Sequence, residues 1–533
     1  MTAVAALPAT ARSRAARLLA TYAPVPAAAA AAAAMGLFDT PVGDLQAAIA
    51  REQAAESGVG VTYWFSWYGG LSPGSYSSLV PALSRGIGSF GLLVLATLAV
   101  TALGGPLARD TARPALLRWC ICAAAVSNMF AGRVAFGVAA AVALAAVLAL
   151  TRGRVVLGGL LMAVSGLASP LAPAFAGLVT VPLLLAGGHR SPPVRSLLLG
   201  AGAGVALPVV LFGTGGSQPF GGVTFVWGIL AGLAAYPALR TTEQRWLLPL
   251  VAPVTVVLAV VPNGVGSNLG RFFSLVLPCV LIVWSRWGGV RLLAALLPAL
   301  VWLVQNPVHD QLVAVEGGYA AEDYTSLRDA LLARGDLEGH RVELLDSSSH
   351  VGSHELGSSV WLARGWENQT ESRYHDSLFD EEMPSAADYR RWLADNAVAY
   401  IAVAADPLTN FRTRAVLGLI DADLPYLTRV WADERWTLYR VEDPAPIVPP
   451  PLTLVEAAPS RMVVDVPDTA EHHLQIRPNR YLVARSEADP GVTACFTPTP
   501  DDWVTLRAPV PGRYVLEGEF SLDAALGGAP DEC

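Results

Sequence analysis

The sequence predicts a polytopic α-helical membrane domain, followed by an extracytoplasmic α/β domain and a C-terminal β-sandwich. Hydrophobic residues make up 53% of the 533 residues and charged residues 15%, and the apolar excess lies within residues 1–305. Beyond that point, 306–442 alternates helix and strand patterns, and 453–533 holds seven short strand-like runs separated by turn residues. A proline-rich segment, 443–452, reads as a semi-rigid linker between the two.

Apolar runs in the first domain have the length of transmembrane helices, which need about 17–25 residues. We predict eleven spans, at 18–37, 87–107, 114–130, 134–150, 155–169, 171–187, 196–213, 222–238, 246–262, 270–285 and 290–305. The first outer loop is then 38–86. Because Ser169-Pro170 interrupts the apolar pattern, 155–187 is also compatible with a broken pair of helices.

Arginine placement predicts the orientation. The N-terminus carries Arg12, Arg14 and Arg17, and every second loop after it is basic, up to Arg286 and Arg291. By the positive-inside rule, the N-terminus is cytoplasmic and the C-terminal domains are extracytoplasmic, in a multi-pass protein of the plasma membrane. The first span also resembles a signal peptide, but its apolar length favours a retained signal-anchor.

Charge and cysteine content set further limits. The net charge of −8 argues against a nucleic-acid partner. All 36 basic residues are arginine, which with abundant Ala, Gly and Pro is typical of GC-rich, actinobacterial coding. Cys120, Cys122 and Cys279 fall in predicted spans and read as packing residues, whereas Cys495 and Cys533 are candidates for a disulfide.

Acidic residues are scarce in the membrane domain. Between Glu56 and Gln305 the sequence has two, Asp110 and Glu243, and both fall in predicted cytoplasmic loops. General acid–base chemistry on the outer side therefore has to use the first outer loop or the C-terminal half.

Two aspartates open the first outer loop. Asp39 follows the first span and is our first candidate for a catalytic base; the alternative is a solvated helix-end residue. Asp44 is the second candidate, although Gly43-Asp44 before an amphipathic run is also an N-cap signal.

Arginines on the predicted outer side are candidates for binding an anionic substrate group, since the guanidinium fork binds phosphate oxygens in pairs. Arg271 is the strongest, because it ends a Gly/Asn-rich turn that opens a helix and also contains Asn268. Arg133 and Arg85 are weaker candidates. The alternative for Arg271 is an interfacial arginine that reaches lipid headgroups.

An aromatic run in the same loop contains Trp64, Trp67 and Tyr68. It reads either as an interfacial aromatic belt or as a platform on which sugar rings or a lipid chain pack. Further on, Asp346 to His354 gathers Ser, His and Asp without a Gly-x-Ser-x-Gly elbow. We interpret this run as a loop that faces the membrane site and contacts an acceptor.

The layout as a whole resembles the GT-C fold of membrane glycosyltransferases: a basic N-terminus, one helix, a long outer loop opening with Asp39, many short helices and a C-terminal outer domain. The resemblance implies a polyprenyl-phosphate sugar as donor and an envelope glycan or protein as acceptor, besides membrane lipid as a partner. It also implies a base or metal ligand in the first outer loop, matched here by Asp39 and then Asp44. The sequence itself indicates no cofactor and leaves a divalent metal open.

Two alternatives stay open at this stage. Many GT-C members carry an Asp-Glu or Asp-Asp pair after the first helix, and this chain has none, which suits a non-catalytic envelope-assembly or scaffold protein. The other alternative is a lipid or glycolipid transporter. Ion coupling is disfavoured, because no ionisable residue falls near the middle of a predicted span. A transferase predicts Asp39 and Arg271 in one outer cavity, a scaffold predicts these two residues far apart and solvated, and a transporter predicts a cavity that reaches the membrane midplane.

Overall fold

The computed structural model describes residues 18–378, 385–408 and 413–527. Its first half is a bundle of apolar helices with a long loop after the first. The helices are α1 (Leu18–Phe38), α2 (Gly43–Glu56), α3 (Val80–Ile87), α4 (Ser89–Ala108), α5 (Pro114–Phe130), α6 (Val134–Thr151), α7 (Val155–Ala168), α8 (Leu171–Leu185), α9 (Pro192–Phe212), α10 (Gly222–Leu239), α11 (Leu247–Val260), α12 (Gly266–Trp284) and α13 (Gly289–Gly317). Helices α2 and α3 belong to the first outer loop, and each of the other eleven overlaps one predicted span.

Helix length separates these eleven into two groups. Within the described residues, seven are long and apolar enough to cross a membrane: α1, α4, α6, α9, α10, α12 and α13. The remaining four have 14 to 17 residues. A 14-residue helix is about 21 Å long, short of the hydrocarbon core of about 30 Å. The long helices support a multi-pass membrane protein, and the count of eleven crossings stays a prediction.

Small residues allow close contact between α7 and α9. A Cβ atom on Gly166 would lie 1.8 Å from the carbonyl oxygen of Gly204, so the two backbones touch at this point. Close approach through glycine is a common way for helices to associate in lipid, where apolar burial alone gives little driving force.

The α/β domain follows α13. Its strands are β1 (Arg341–Leu345), β2 (Val398–Ala404), β3 (Leu427–Ala432) and β4 (Trp436–Val441), and its helices are α14 (Thr325–Leu332), α15 (Gly352–Glu355), α16 (Asn368–Tyr374), α17 (Ala386–Asp395) and α18 (Arg414–Asp421). The sheet order is β1-β2-β4-β3, with β1 parallel to β2 and the other pairs antiparallel. Central strand β2 is almost fully buried, as expected for an apolar strand covered on both faces.

The C-terminal region is a β domain. Its strands are β5 (Thr453–Ala457), β6 (Arg461–Val466), β7 (Glu471–Leu474), β8 (Leu482–Ser486), β9 (Thr493–Pro498), β10 (Val504–Arg507) and β11 (Gly512–Gly518), followed by a short helix α19 (Leu522–Ala525). All seven predicted strand-like runs form strands. They are joined in one antiparallel sheet, β5-β6-β11-β8-β9-β10-β7, in place of two separate sheets. Because six of these strands contribute to one hydrophobic cluster, the sheet folds over its own core.

The aromatic run of the first outer loop is buried between these two domains. Tyr63 and Phe65 join the core of the β domain, whereas Trp64, Trp67 and Tyr68 join the core of the α/β domain. All five are at most 2% exposed. Turns after Trp64 and after Trp67, and the left-handed conformation of Tyr68 (φ 56°), direct these rings to the two sides. The run is therefore neither an interfacial belt nor an open platform, because its rings are used to hold the two domains together.

Candidate functional site

A cavity of about 240 Å³ lies where the helical bundle meets the α/β domain, on the side that we call the outer side. Helix α2, the turn before α6, helices α8 and α9, the start of α12 and the segment before α16 form its walls. Its main polar lining residues are Asp44, Arg51, Arg133, Gln218, Asn268, Arg271, Trp366 and Glu367. The cavity thus collects side chains that are far apart in sequence.

Two arginines and two aspartates form an ion-pair cluster at this cavity. Arg133 Nε lies 3.3 Å from Asp44 Oδ2, and Arg133 Nη2 lies 3.4 Å from Asp310 Oδ2. Arg271 Nη2 lies 3.7 Å from the same oxygen of Asp44. The Asp44 side chain is 39% exposed, so it reaches both arginines and still faces open space. Such arginines can bind an incoming anion by exchanging partners, because they already point at a carboxylate.

Backbone geometry brings Arg133 against α2. Gly132 has φ +71°, and a Cβ atom there would lie 2.7 Å from the backbone nitrogen of Leu45. Glycine permits both this conformation and this close approach. Asp44 itself lies in the first turn of α2, where the helix N-terminus favours a negative charge.

The turn before Arg271 is held by one side chain. Asn263 Oδ1 accepts hydrogen bonds from the N–H groups of Val265 and Gly266, at 2.9 and 2.8 Å. A π-helical turn, Phe272–Val276, follows Arg271 directly. Such turns occur often at functional sites because they change the direction of neighbouring side chains.

Four of the predicted site residues meet in this cavity: Asp44, Arg133, Asn268 and Arg271. The Gly/Asn-rich turn that the sequence indicated therefore does face a cavity with acidic and basic groups. The pairing of Asp44 with Arg271 places a carboxylate and a potential phosphate ligand side by side.

The other predicted residues lie elsewhere. Asp39 ends α1 in a left-handed conformation, φ 44°, and its backbone N–H donates to the carbonyl of Met35. Arg85 is exposed on α3. Among the described residues that line the cavity, Asp44 is present, whereas Asp39 and Arg85 are not. The placement of Asp39 matches the helix-end alternative.

Two important lining residues were missed by sequence reasoning. Arg51 Nη2 lies 2.9 Å from Glu367 Oε2, and these side chains are 3% and 4% exposed. Arg51 also stacks over Tyr76, 4.1 Å from the ring centre. A signal for Arg51 existed, because Asp44, Ala47 and Arg51 are spaced i, i+3 and i+7 and share one face of α2. Glu367 carries no comparable signal.

A second, apolar cavity of about 510 Å³ lies within the helical bundle. Helices α4, α5, α6, α8 and α12 form most of its lining, and its polar surface is small. Phe136 lines both cavities. Along α6 the apolar cavity runs from Phe136 to Thr151, a length of about 22 Å at about 1.5 Å per residue. The charged cavity and the apolar cavity therefore lie on either side of a shared lining residue.

The loop from Asp346 to His354 does not form a nucleophilic triad. Asp346 accepts hydrogen bonds from the Tyr324 hydroxyl and from the N–H groups of Ser347 and Gly352, at 2.5 to 3.1 Å. Burial raises the pKa of the Asp346 carboxyl to about 7, and these hydrogen bonds oppose that rise. The Asp346 side chain thus stabilises the turn of the loop in which it lies.

The same loop contacts the helix that carries Asp44. His354 Nε2 lies 2.7 Å from Gln46 Oε1, and burial lowers the pKa of His354 to about 4, so the ring is neutral near pH 7. His350 stacks on Trp366 with 3.5 Å between ring centres, and a Cβ atom on Gly43 would touch both rings. The loop therefore packs against α2, and its contact with an acceptor stays a prediction.

Two further questions concern a metal ion and the predicted disulfide between Cys495 and Cys533. Within the described residues, no group of three or more His, Cys, Asp or Glu side chains is placed to hold a metal ion. Cys533 lies outside the described residues, so its pairing with Cys495 stays a prediction. Cys120 and Cys279 pack in the bundle with their sulfur atoms 3.6 Å apart.

Comparison with known proteins gives limited information. No protein-family model matches the chain, and no curated protein matches it. Among solved structures, the chain is similar to the arabinofuranosyltransferase AftD from Mycobacteria, determined by single-particle cryo-EM, with 16% identity and a TM-score of 0.38. The similarity covers 84% of this chain, which spans 41% of that one. A likeness at this score assigns neither a fold nor an activity.

Proposed function

We propose that this chain is a membrane glycosyltransferase that transfers a sugar from a polyprenyl-phosphate carrier to an envelope acceptor on the outer side. The observation that carries the proposal is that one residue, Phe136, lines both the charged cavity and the apolar one. A polyprenyl-phosphate sugar has the matching chemistry, because an anionic head is joined to a long apolar chain. The sheet domains would then be extracytoplasmic, as the arginine pattern predicts.

The charged cluster supports a division of roles. Arg271 and Arg133 would bind the donor phosphate, since each already pairs with a carboxylate oxygen. A phosphate that takes over these arginines displaces Asp44 from them. Asp44 is then an unpaired carboxylate beside the donor, in the position that a general base requires.

The transfer step can be written with these groups. The acceptor hydroxyl gives its proton to Asp44, and its oxygen bonds to the anomeric carbon of the sugar. The bond between that carbon and the phosphate oxygen breaks, and polyprenyl phosphate leaves with the electron pair and an extra negative charge. Arg271 and Arg133 stabilise that charge as it develops, which lowers the barrier.

The deciding experiment compares two aspartates of the same loop. Purified protein is reconstituted in lipid vesicles and assayed with a panel of radiolabelled decaprenyl-phosphate sugars and an envelope glycan extract as acceptor. We expect Asp44→Asn to lower the transfer rate about 100-fold or more, the usual contribution of general base catalysis. Asp39→Asn is the matched control, because its side chain is exposed at a helix end, and it should leave the rate unchanged. Loss of activity in Asp39→Asn with activity retained in Asp44→Asn would overturn the assignment.

A lipid or glycolipid transporter is the second candidate, and the length of the apolar cavity favours it. Movement of a decaprenyl-phosphate sugar between leaflets would not need a base, so transport would persist in Asp44→Asn. Wild-type protein that moves the lipid across vesicles without transferring its sugar would favour this alternative. The scaffold alternative predicts neither activity, and it leaves the contact between Asp44 and Arg271 without a use.

A further inference from the structure

The β domain contacts the helical bundle at the outer end of α9. The Tyr481 hydroxyl donates to the carbonyl of Leu211 at 2.5 Å. Arg480 Nη1 donates to the carbonyl of Val210 at 3.3 Å and to the carbonyl of Ala525 at 3.0 Å. Arg480 thus links the last turn of α9 to α19, and places α19 within a few ångströms of a membrane-spanning helix.

Aromatic rings mark the position along α9 at which the β domain contacts the helical bundle. The ring centre of Phe212 lies 5.9 Å from that of Tyr481 and 6.3 Å from that of Phe520. Phe212 is the last residue of α9, one of the helices long and apolar enough to cross a membrane. Val210, two residues before it, is 49% exposed on the bundle surface, as expected for a lipid-facing residue. The β domain therefore reaches the level at which α9 leaves the apolar layer.

Large apolar side chains are exposed at the same place. Phe520 is 45% exposed, Leu522 68% and Leu526 79%. Leu522 begins α19 and Leu526 caps its end, and the Leu526 N–H donates to the carbonyl of Leu522 at 3.0 Å, so the two lie one turn apart on the same side. The adjacent charged groups are Arg480, Asp523 and Glu519, and Glu519 is paired with Arg485. Two such exposed leucines beside an exposed phenylalanine are costly in water, and soluble surfaces seldom group them.

We propose that Phe520, Leu522 and Leu526 form a lipid-contact patch that inserts into the membrane leaflet on the side of the sheet domains. The occupant of this patch is the acyl-chain region of phospholipids, because the patch lies beside the exposed Val210 at the end of a helix long and apolar enough to cross a membrane. Arg480 lies where a phosphate headgroup would approach it, as interfacial arginines commonly do. The patch holds the β domain against the bilayer and acts independently of the proposed sugar transfer.

The test uses the full chain in nanodiscs of phosphatidylcholine and phosphatidylglycerol. Benzoylphenylalanine, a photoreactive amino acid, replaces Leu526 in one variant and Val510 in the other. Val510 is a matched control, being 47% exposed in the same domain. It precedes β11, whose opposite end leads to Phe520, so the two sites are separated by about 20 Å of strand.

Irradiation followed by mass spectrometry counts the lipid adducts. We expect about tenfold more phospholipid adduct at position 526 than at position 510. This ratio corresponds to the free energy gained when one leucine-sized side chain moves from water to apolar surroundings. Equal yields at the two positions would overturn the proposal. An adduct from position 526 to another part of the chain would do the same, because the patch would then be covered by protein.

Discussion

The outer and the inner cavity share one lining residue, Phe136, but their linings differ in chemistry. The outer cavity is lined by charged and amide side chains from five distant parts of the chain, and the charged ones are paired with one another. The inner cavity is lined mainly by alanine, leucine, valine and phenylalanine from several helices of the bundle and needs no specific partners. The first therefore depends on individual contacts, and the second on shape and length alone.

If that contrast holds, the largest loss of stability should come from breaking the buried ion pair between Arg51 and Glu367, which lines the outer cavity. Arg51→Ala leaves Glu367 buried and uncompensated, and we expect a loss of about 3–5 kcal/mol in the free energy of unfolding. Thermal unfolding in detergent measures it. The control is Arg461→Ala, which breaks an ion pair of similar length whose side chains are 46% and 47% exposed. It should cost at most about 1 kcal/mol. Equal losses in both variants would show that the buried pair at the outer cavity contributes no more to stability than an exposed pair.

Binding of an anionic head should depend on Arg271. Arg271→Ala removes a charged hydrogen-bond donor, worth about 1.5–3 kcal/mol, so affinity for decaprenyl phosphate should fall about 10- to 150-fold. Arg271→Lys should recover part of it, because lysine supplies the charge without the planar fork. Arg85→Ala, on exposed α3, is the control and should bind as the wild type does. Unchanged affinity in Arg271→Ala would show that the phosphate does not bind at Arg271.

The inner cavity should respond to chain length and to filling. Ala143 lines it about 10 Å below Phe136, two turns along α6. Ala143→Trp should lower the affinity for decaprenyl phosphate about tenfold, because buried apolar contacts with the distal chain are lost. Geranyl phosphate, which is too short to reach position 143, should bind both proteins alike and so confirms that the variant is folded. Val156→Trp, at a side chain 75% exposed on the bundle surface, is the matched control. Equal weakening for both ligands would contradict a single continuous binding path.

The sequence predicts the inner region better than the outer one, and the reason is physical. Apolar runs are local, so each of the eleven predicted spans overlaps a helix, although length leaves the four short ones undecided as crossings. Strand alternation is equally local, and all seven strands of the β domain were found. The burial of Trp67 was not predicted, because Trp67 pairs with Leu362, about three hundred positions away, and Leu362 in turn pairs with Val342 of β1.

The choice between Asp39 and Asp44 shows the same limit. Both stand at the opening of the first outer loop, and nothing local separates a capping role from a catalytic one. The difference comes from Arg133 and Arg271, which approach Asp44 from α6 and α12. Arg51 could have been predicted from the sequence, because its helical spacing from Asp44 places both side chains on one face of α2.

The central claim is that one amphiphilic ligand occupies both cavities at once. Single-particle cryo-EM of the full chain in nanodiscs, with decaprenyl phosphate added, tests it directly. We predict density for the phosphate within hydrogen-bonding distance of the Arg271 guanidinium, with the chain passing Phe136 and running along α6 toward Thr151. Phosphate density away from Arg271, or a chain that lies outside the bundle, would contradict the account.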